Sequence, residues 1–95
     1  DVKEDLREEL KEPDMWDVIL HNDDYTTKGF VVEVLRRVFR KNAAEATAIM
    51  MKVHRHGRGV VGTYTYDIAH SKASKVHQLA KQHEYPLRCS VKKSS

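Results

Sequence analysis

The spacing of apolar residues switches repeatedly between a period of about 3.6 and a period of two, which limits the chain to alternating helices and strands. The clearest helical stripe recurs at one- and four-residue spacing and is made of Phe30, Val31, Val34, Leu35, Val38 and Phe39. Thr26 or Thr27 is the expected N-cap of this first helix. A second stripe contains Ala46, Ile49, Met50 and Val53. Asn42 and Glu45 form a capping-box sequence before it, and Gly57 predicts its end.

A third helix is predicted over residues 66–82, with Thr65 as its cap, and its apolar face consists of Ala69, Ala73, Val76 and Ala80. Three segments show strand character instead: residues 16–21, 58–65 and 87–91, the last preceded by Pro86. The predicted order is βααβαβ. Since one sheet face must be covered, we expect an α+β fold with a three-stranded antiparallel sheet and three helices packed on one face.

Length and composition restrict the function as well as the fold. With 95 residues the chain has room for one small domain, and a deep cofactor cavity would compete with the core for the same apolar side chains. No apolar run approaches the roughly 20 residues of a membrane helix. The single cysteine, Cys89, cannot form an internal disulfide, and the alternation around it predicts a small core residue. A soluble protein of a reducing compartment is therefore expected.

Charge is distributed unevenly along the chain. Residues 1–17 hold eight acids and three bases, a net charge of −5, and the remaining residues therefore carry +8 of the total of +3. Pro13 separates the acidic segment from the basic body. We predict a flexible N-terminal extension over residues 1–14 and a core domain over residues 15–95. Two interpretations of the acidic segment stay open: it lies against the basic body, or it meets another protein.

The run Asn22, Asp23, Asp24 stands where the first strand ends, a position at which small domains often expose functional groups. Turn chemistry explains such a run, because Asn and Asp side chains bond nearby backbone amides. A carboxylate pair working as acid and base, or binding a metal, is the alternative. No further carboxylate cluster supports a hydrolase or a Mg²⁺ site.

Six histidines raise the question of zinc. His54 and His56 are two residues apart and point to different helix faces, whereas His70 and His77 are separated by about 10 Å along a helix. Neither spacing suits one ion, so no metal site is predicted. The basic body favours a small nucleic-acid-binding domain as an alternative function, although its cations are spread over three helices without a Gly-rich phosphate loop or an aromatic strand motif.

Four blocks, read together, give a more specific indication. They are V-I-L-H-N-D-D-Y-T from Val18, A-T-A-I-M-M-K-V-H ending at His54, G-x-G-V-V-G-T-Y-T-Y-D from Gly57, and Y-P-L-R-C ending at Cys89. In this order they resemble the ClpS family, the adaptors that deliver N-end rule substrates to Clp AAA+ proteases. The resemblance runs from about Trp16 to Lys93.

The resemblance implies a non-catalytic domain without a cofactor, which binds the free α-amino group and the bulky first side chain (Phe, Tyr, Trp or Leu) of a substrate. The implied amino-group ligands are Asn22, Asp24 and His54, with Asp23 in the same loop. The implied side-chain pocket is lined by Thr26, Lys28, Val31, Met50, Val53 and Leu87. It also implies a monomer in the bacterial cytoplasm or the plastid stroma that binds no nucleic acid and no membrane.

Two further features follow from the same resemblance. Asp67 and Lys72 match positions that dock the N-terminal domain of a ClpA- or ClpC-type unfoldase, and residues 1–14 match the extension that engages the unfoldase during delivery. One stretch departs from the family, because T-K-G-F from Thr27 replaces the usual P-M-E-F. Lys28 therefore stands where a Met normally borders the pocket and helps to exclude β-branched side chains.

Overall fold

The computed structural model describes residues 13–95, and the predicted extension over residues 1–14 falls almost entirely outside this range. Within it the order is β1 (Met15–His21), α1 (Lys28–Arg37), α2 (Ala43–His56), β2 (Arg58–Thr65), α3 (Tyr66–Gln82) and β3 (Arg88–Lys93). The predicted α+β fold class and βααβαβ order are confirmed. The helices pack over one face of the sheet, and none within residues 13–95 is long and apolar enough to cross a membrane.

The sheet has the order β2-β1-β3, with both pairs antiparallel. β1 is central because two consecutive helices bring the chain back beside it as β2, and α3 then carries the chain to the opposite edge as β3. Val18 and Leu20 are fully buried on the helix-covered face. A register shift of the β1–β2 pair between Val18 and Ile19 leaves Val61 as an extra residue on β2.

The helix ends follow the capping residues. Thr27 caps α1 through its hydroxyl, which accepts a hydrogen bond from the amide of Phe30 at 3.1 Å. Asn42 and Glu45 form the predicted capping box of α2, with reciprocal bonds of 2.8 and 3.0 Å. Thr65 occupies the N-cap position of α3, but its hydroxyl makes no capping bond. The capping position was predicted correctly, but the hydrogen bond expected of a capping side chain is not formed.

The core lies between the sheet and the helices and contains the predicted apolar stripes. Its largest fully buried side chains are Leu20, Leu35, Val18, Val34 and Val76. The first stripe extends beyond its helix: Val38 and Phe39 are buried although α1 ends at Arg37. Cys89 is buried as expected, and burial raises the pKa of its thiol to about 12. The thiol is therefore a core group and not a nucleophile.

Candidate functional site

Two distant stretches of chain meet at the end of β1. The amide of Asn22 donates a 2.8 Å hydrogen bond to the carbonyl of Gly57, the residue that ends α2. Gly57 has φ +85°, a left-handed conformation that glycine adopts without steric cost. This conformation turns the chain from α2 into β2. The backbone bond holds the loop after β1 beside the last turn of α2, which carries His54.

Asp23 organises the loop between β1 and α1. One carboxylate oxygen accepts the amides of Tyr25 and Thr26 at 2.8 and 2.7 Å, and the other accepts the hydroxyl of Thr26 at 2.7 Å. Burial acts to raise the pKa of Asp23, but the bonds from the hydroxyl and amide of Thr26 and from the amide of Tyr25 outweigh it and lower the pKa. Asp23 is therefore held ionised, with both oxygens engaged by its own loop.

A cavity of about 400 Å³ opens where this loop faces α1 and α2. Its lining consists of Asn22, Asp23, Asp24, Tyr25, Thr26, Thr27, Lys28, Val31, Met50, Val53 and His54. The apolar contribution comes from Val31, Met50 and Val53, which are at most 8% exposed and belong to the core. The cavity thus combines a polar wall, supplied by the loop and His54, with apolar side chains that α1 and α2 present from beneath.

The polar wall keeps its hydrogen-bonding capacity. Within residues 13–95, no protein hydrogen bond engages the side chains of Asn22, Asp24 or His54, and all three residues are exposed. An amide oxygen, a carboxylate and a neutral imidazole are all acceptors. The arrangement suits a small cation with several N–H donors attached to an apolar group.

The structure brings together nine of the ten residues predicted for the amino-group site and the pocket. Leu87 is the exception, since it is 3% exposed, lies in the core just before β3 and does not line the cavity. Sequence reasoning missed Tyr25 and Thr27, which do line it. Tyr25 is 78% exposed, so its solvent-facing ring had no apolar pattern that could have revealed it.

Asp67 and Lys72, the predicted docking residues, lie on α3 and away from the cavity. Asp67 is exposed in the first turn of α3. Lys72 donates a 2.9 Å hydrogen bond to the carbonyl of Val38, and its ammonium stands 5.8 and 5.3 Å from the ring centroids of Phe39 and Tyr64. Burial, followed by repulsion from Lys75 and Arg40, lowers the pKa of Lys72.

Metal ligation finds no geometric support in the part of the chain that the structure describes. Across residues 13–95, no three His, Cys, Asp or Glu side chains gather in a way that could hold an ion. Two histidines have internal partners instead. His21 lies 2.6 Å from the hydroxyl of Ser90, and His77 accepts the amide of Cys89 at 3.0 Å.

Comparison with known proteins identifies the family. The model of the ATP-dependent Clp protease adaptor protein ClpS matches residues 11–90. This chain belongs to the ClpS family. An ATP-dependent Clp protease adapter protein ClpS from Syntrophus aciditrophicus is 58% identical over 84 residues, covering 88% of this chain and 78% of the relative. The ClpS adapter of Acetivibrio thermocellus is 57% identical over 86 residues, which is 90% of this chain and 87% of that protein.

A solved structure of the ClpS family shares the fold. Agrobacterium tumefaciens ClpS2, in a structure bound to L-phenylalaninamide, superposes with a TM-score of 0.85 and 37% sequence identity. The match covers 87% of this chain and all of that one. The resemblance inferred from the four sequence blocks is thereby confirmed. ClpS proteins are named as adaptors of a protease, in agreement with a non-catalytic role.

Proposed function

We propose that this ClpS-family protein binds the free α-amino group and the bulky hydrophobic first residue of a protein substrate and delivers that substrate to a Clp ATP-dependent protease. The observation that carries the proposal is the cavity in which Asn22, Asp24 and His54 stand beside the apolar side chains of Val31, Met50 and Val53. The phenylalaninamide bound by Agrobacterium tumefaciens ClpS2 has this same chemistry, an ammonium group attached to an aromatic side chain.

In this proposal the three acceptors bind the amino group. An ammonium donates three hydrogen bonds, and Asn22, Asp24 and His54 offer an amide oxygen, a carboxylate and an imidazole nitrogen. Asp23 serves the site indirectly, because its bonds to Tyr25 and Thr26 fix the loop that presents its two neighbours. An acetylated terminus has neither the charge nor the three donors.

The energies are adequate for micromolar binding when the site is preformed. Charge-assisted hydrogen bonds contribute about 1.5 to 3 kcal/mol each, and burial of a Leu or Phe side chain contributes about 1.5 to 3 kcal/mol. Micromolar affinity needs roughly 8 kcal/mol. The loop is organised in advance by Asp23, and the apolar wall belongs to the core, so little ordering is left to oppose binding.

The preference for the first side chain depends on Lys28. This exposed residue lines the cavity at the first position of α1. Its methylenes can cover the rim while its ammonium stays in water, but a cation near the bound amino group weakens the site. We expect Lys28→Met to tighten binding of a Phe-initiated peptide, and a peptide series varied only at the first residue measures the change in preference.

The partner is a Clp unfoldase of the ClpA or ClpC type, which we propose docks on α3 at Asp67 and Lys72. The proposal treats the protein as a monomer without enzymatic activity or cofactor, working in the bacterial cytoplasm or the plastid stroma. Residues 15–95 form the binding domain, and residues 1–14 the extension that engages the unfoldase. Support comes from the family membership and from the separation of α3's exposed face from the cavity.

Calorimetry tests the binding function. A peptide beginning with free Phe should bind with micromolar or tighter affinity, and the same peptide with an acetylated amino group should not bind. His54→Ala should reduce affinity at least about tenfold, since one charge-assisted bond is worth about 1.5 to 3 kcal/mol. His56→Ala is the matched control, because His56 also lies in the last turn of α2 but does not line the cavity. Equal binding of the two peptides would defeat the assignment.

A further inference from the structure

Three basic side chains form a row across the open face of the sheet, next to the proposed binding site. His21 on β1 is paired with Arg58 on β2 and with Arg88 on β3. Residues directly opposite each other on antiparallel strands point to the same face of a sheet. His21 points away from the helices, because its neighbour Leu20 is buried beneath them and successive side chains alternate. We call these three residues the basic row.

The positive charge of the basic row is not compensated by carboxylates within residues 13–95. Neither arginine forms an ion pair there, since the two pairs found in this part of the chain join other residues. Both arginines are exposed, and both contribute, after burial, to the lowered pKa of His21. A carboxylate placed beside these side chains would offset the repulsion among them.

A hollow of about 330 Å³ connects the basic row with the proposed amino-group site. Its lining consists of His21, Asn22, Asp23, Gly57, Pro86 and Arg88. Asn22 and Asp23 also line the amino-group cavity, so the two depressions share a wall. Asp23 is the only acid among the lining residues of the hollow, and both of its oxygens are engaged by its own loop. The hollow therefore has room for a second carboxylate beside Arg88.

A bound substrate can reach the basic row within two or three residues. Asn22, a proposed ligand of the amino group, directly follows His21, so their Cα atoms are about 3.8 Å apart. Arg88 lies on the neighbouring strand, about 5 Å from His21. The Cα atoms of Asn22 and Arg88 are therefore within about 9 Å of each other, and two residues of extended chain span about 7 Å. The long arginine side chain covers the remaining distance.

We propose that an acidic side chain at the second or third residue of the bound substrate occupies this hollow and contacts Arg88, with Arg58 adding to the attraction. This proposal rests on the proposed function and deepens it, because it adds a preference for Glu or Asp after the hydrophobic first residue. A guanidinium suits a carboxylate, since its paired N–H donors match the two oxygens. Both arginines are exposed, so we expect a modest preference that salt weakens.

Lys28 is the competing cation. It lines the amino-group cavity but not the hollow, and a substrate chain that left the cavity along α1 would meet it first. The basic row is favoured because it offers two guanidinium groups and adjoins the wall that carries Asn22, whereas Lys28 offers one flexible ammonium. The two paths differ in which substitution removes the preference for an acidic residue.

Calorimetry with peptides that differ at one position tests the preference. Each peptide begins with free Phe, ends in an amide and carries Glu, Gln or Lys at the second or third position of an otherwise uncharged sequence. At about 20 mM salt, Glu at one of these positions should bind about three- to fivefold more tightly than Gln, and Lys should bind more weakly than Gln. At about 500 mM salt the three affinities should converge.

Substitutions locate the contact. Arg88→Gln should remove most of the advantage of Glu and leave the affinity for the Gln peptide unchanged within about twofold. Lys92→Gln is the matched control and should preserve the advantage, because Lys92 is also an exposed cation of β3 but does not line the hollow. Lys28→Met should preserve it as well. Amide spectra report whether each variant is folded.

His21 gives a local readout on the unmodified protein. In the complex with the Glu peptide, its imidazole should titrate at a pH about 0.5 higher than in the complex with the Gln peptide, because the carboxylate offsets the repulsion from Arg58 and Arg88. The other groups near the ring, Asp23 in the hollow and the hydroxyl of Ser90, are the same in both complexes. NMR titration of the ring protons measures the difference.

Equal affinities for the Glu, Gln and Lys peptides would overturn the preference and leave the amino-group function standing. An advantage of Glu that survives Arg88→Gln but disappears in Lys28→Met would overturn the placement in favour of the path along α1. The same titration of His21 in both complexes would also overturn it. If no Phe-initiated peptide bound at all, the proposed function and this preference would fall together.

Discussion

At the scale of single residues, the two adjacent carboxylates of the loop have different tasks. Asp23 accepts three hydrogen bonds from Tyr25 and Thr26, whereas Asp24 is exposed and lines the cavity. The turn chemistry predicted for the N-D-D run therefore applies to Asp23, whereas the alternative of an acid/base or metal-binding carboxylate pair gains no support within residues 13–95. Asp23 provides the turn chemistry, and Asp24 remains the proposed ligand of the amino group.

We predict that Asp23→Ala lowers the free energy of unfolding by about 1 kcal/mol, because the two amides and the hydroxyl lose a charged acceptor at a partly exposed site. Asp24→Ala is the paired control and should leave stability within about 0.5 kcal/mol while weakening peptide binding. Urea titrations and calorimetry on both variants check this. If the two substitutions affected stability equally, the division of tasks would be wrong.

Gly57 is the second residue on which the site depends. A Cβ at this position meets nothing within 4 Å, so substitution costs only the left-handed backbone conformation. We predict that Gly57→Ala destabilises the protein by about 1 to 2 kcal/mol. Gly29→Ala is the control, since Gly29 also has open space but lies in α1, where alanine should stabilise by up to about 1 kcal/mol. Thermal unfolding of both variants distinguishes conformational strain from a general effect of added volume.

At the scale of secondary-structure elements, β3 needs support from a helix because it is an edge strand. It pairs with β1 on one side only. On its other side the amide of Cys89 is accepted by the ring of His77 on α3 at 3.0 Å. The contact ties the last strand to the helix that precedes it and satisfies a donor that the sheet leaves unpaired.

We predict that His77→Leu destabilises the protein by about 1 to 2 kcal/mol, since it leaves the amide of the buried Cys89 without an acceptor. Gln retains an acceptor oxygen, so His77→Gln should recover part of the loss. Hydrogen exchange of the Cys89 amide measures the effect locally. Unchanged protection of that amide in His77→Leu would show that the ring does not hold the strand.

At the scale of the whole molecule, lowering the pH reduces the free energy of unfolding through groups whose pKa is lower in the folded protein than in the unfolded chain. Burial first, and then repulsion from Arg88 and Arg58, lowers the pKa of His21 below its ordinary value of 6.5. Between the folded and unfolded pKa values of His21, the unfolded chain therefore binds a proton that the folded protein does not bind. His21 contributes a loss of stability that begins as the pH falls below about 6.5 and is complete below its folded pKa.

The prediction is that replacing His21 by Gln makes the fall in unfolding free energy between pH 7.5 and pH 5 shallower, because Gln does not titrate. Urea titrations at the two pH values measure the difference. Identical slopes for the wild type and His21→Gln would contradict the role of His21.

Asp23 acts at lower pH. Its pKa is lowered, so the stabilisation from Asp23 is present above the ordinary value of 3.8 and is lost as the pH falls through the pKa of the folded state.

Much of the fold was predictable from local signals, because each signal has a local physical cause. The stripes of α1 and α2, the capping box at Asn42 and the stop at Gly57 were all confirmed. Features that depend on contacts between distant elements were not predictable in this way. No pattern showed that Lys72 would bond the carbonyl of Val38.

Periodicity, capping and motif are properties of neighbours along the chain, so they were enough to predict the elements, their order, the family and the types of residue in the candidate site. The bond from Asn22 to Gly57, which joins the loop after β1 to the end of α2, and the cavity between them are visible only in the folded protein. The physical reason is that a binding site needs acceptors converging from separate stretches of chain, and that convergence exists only once sheet pairing and helix packing fix their distances.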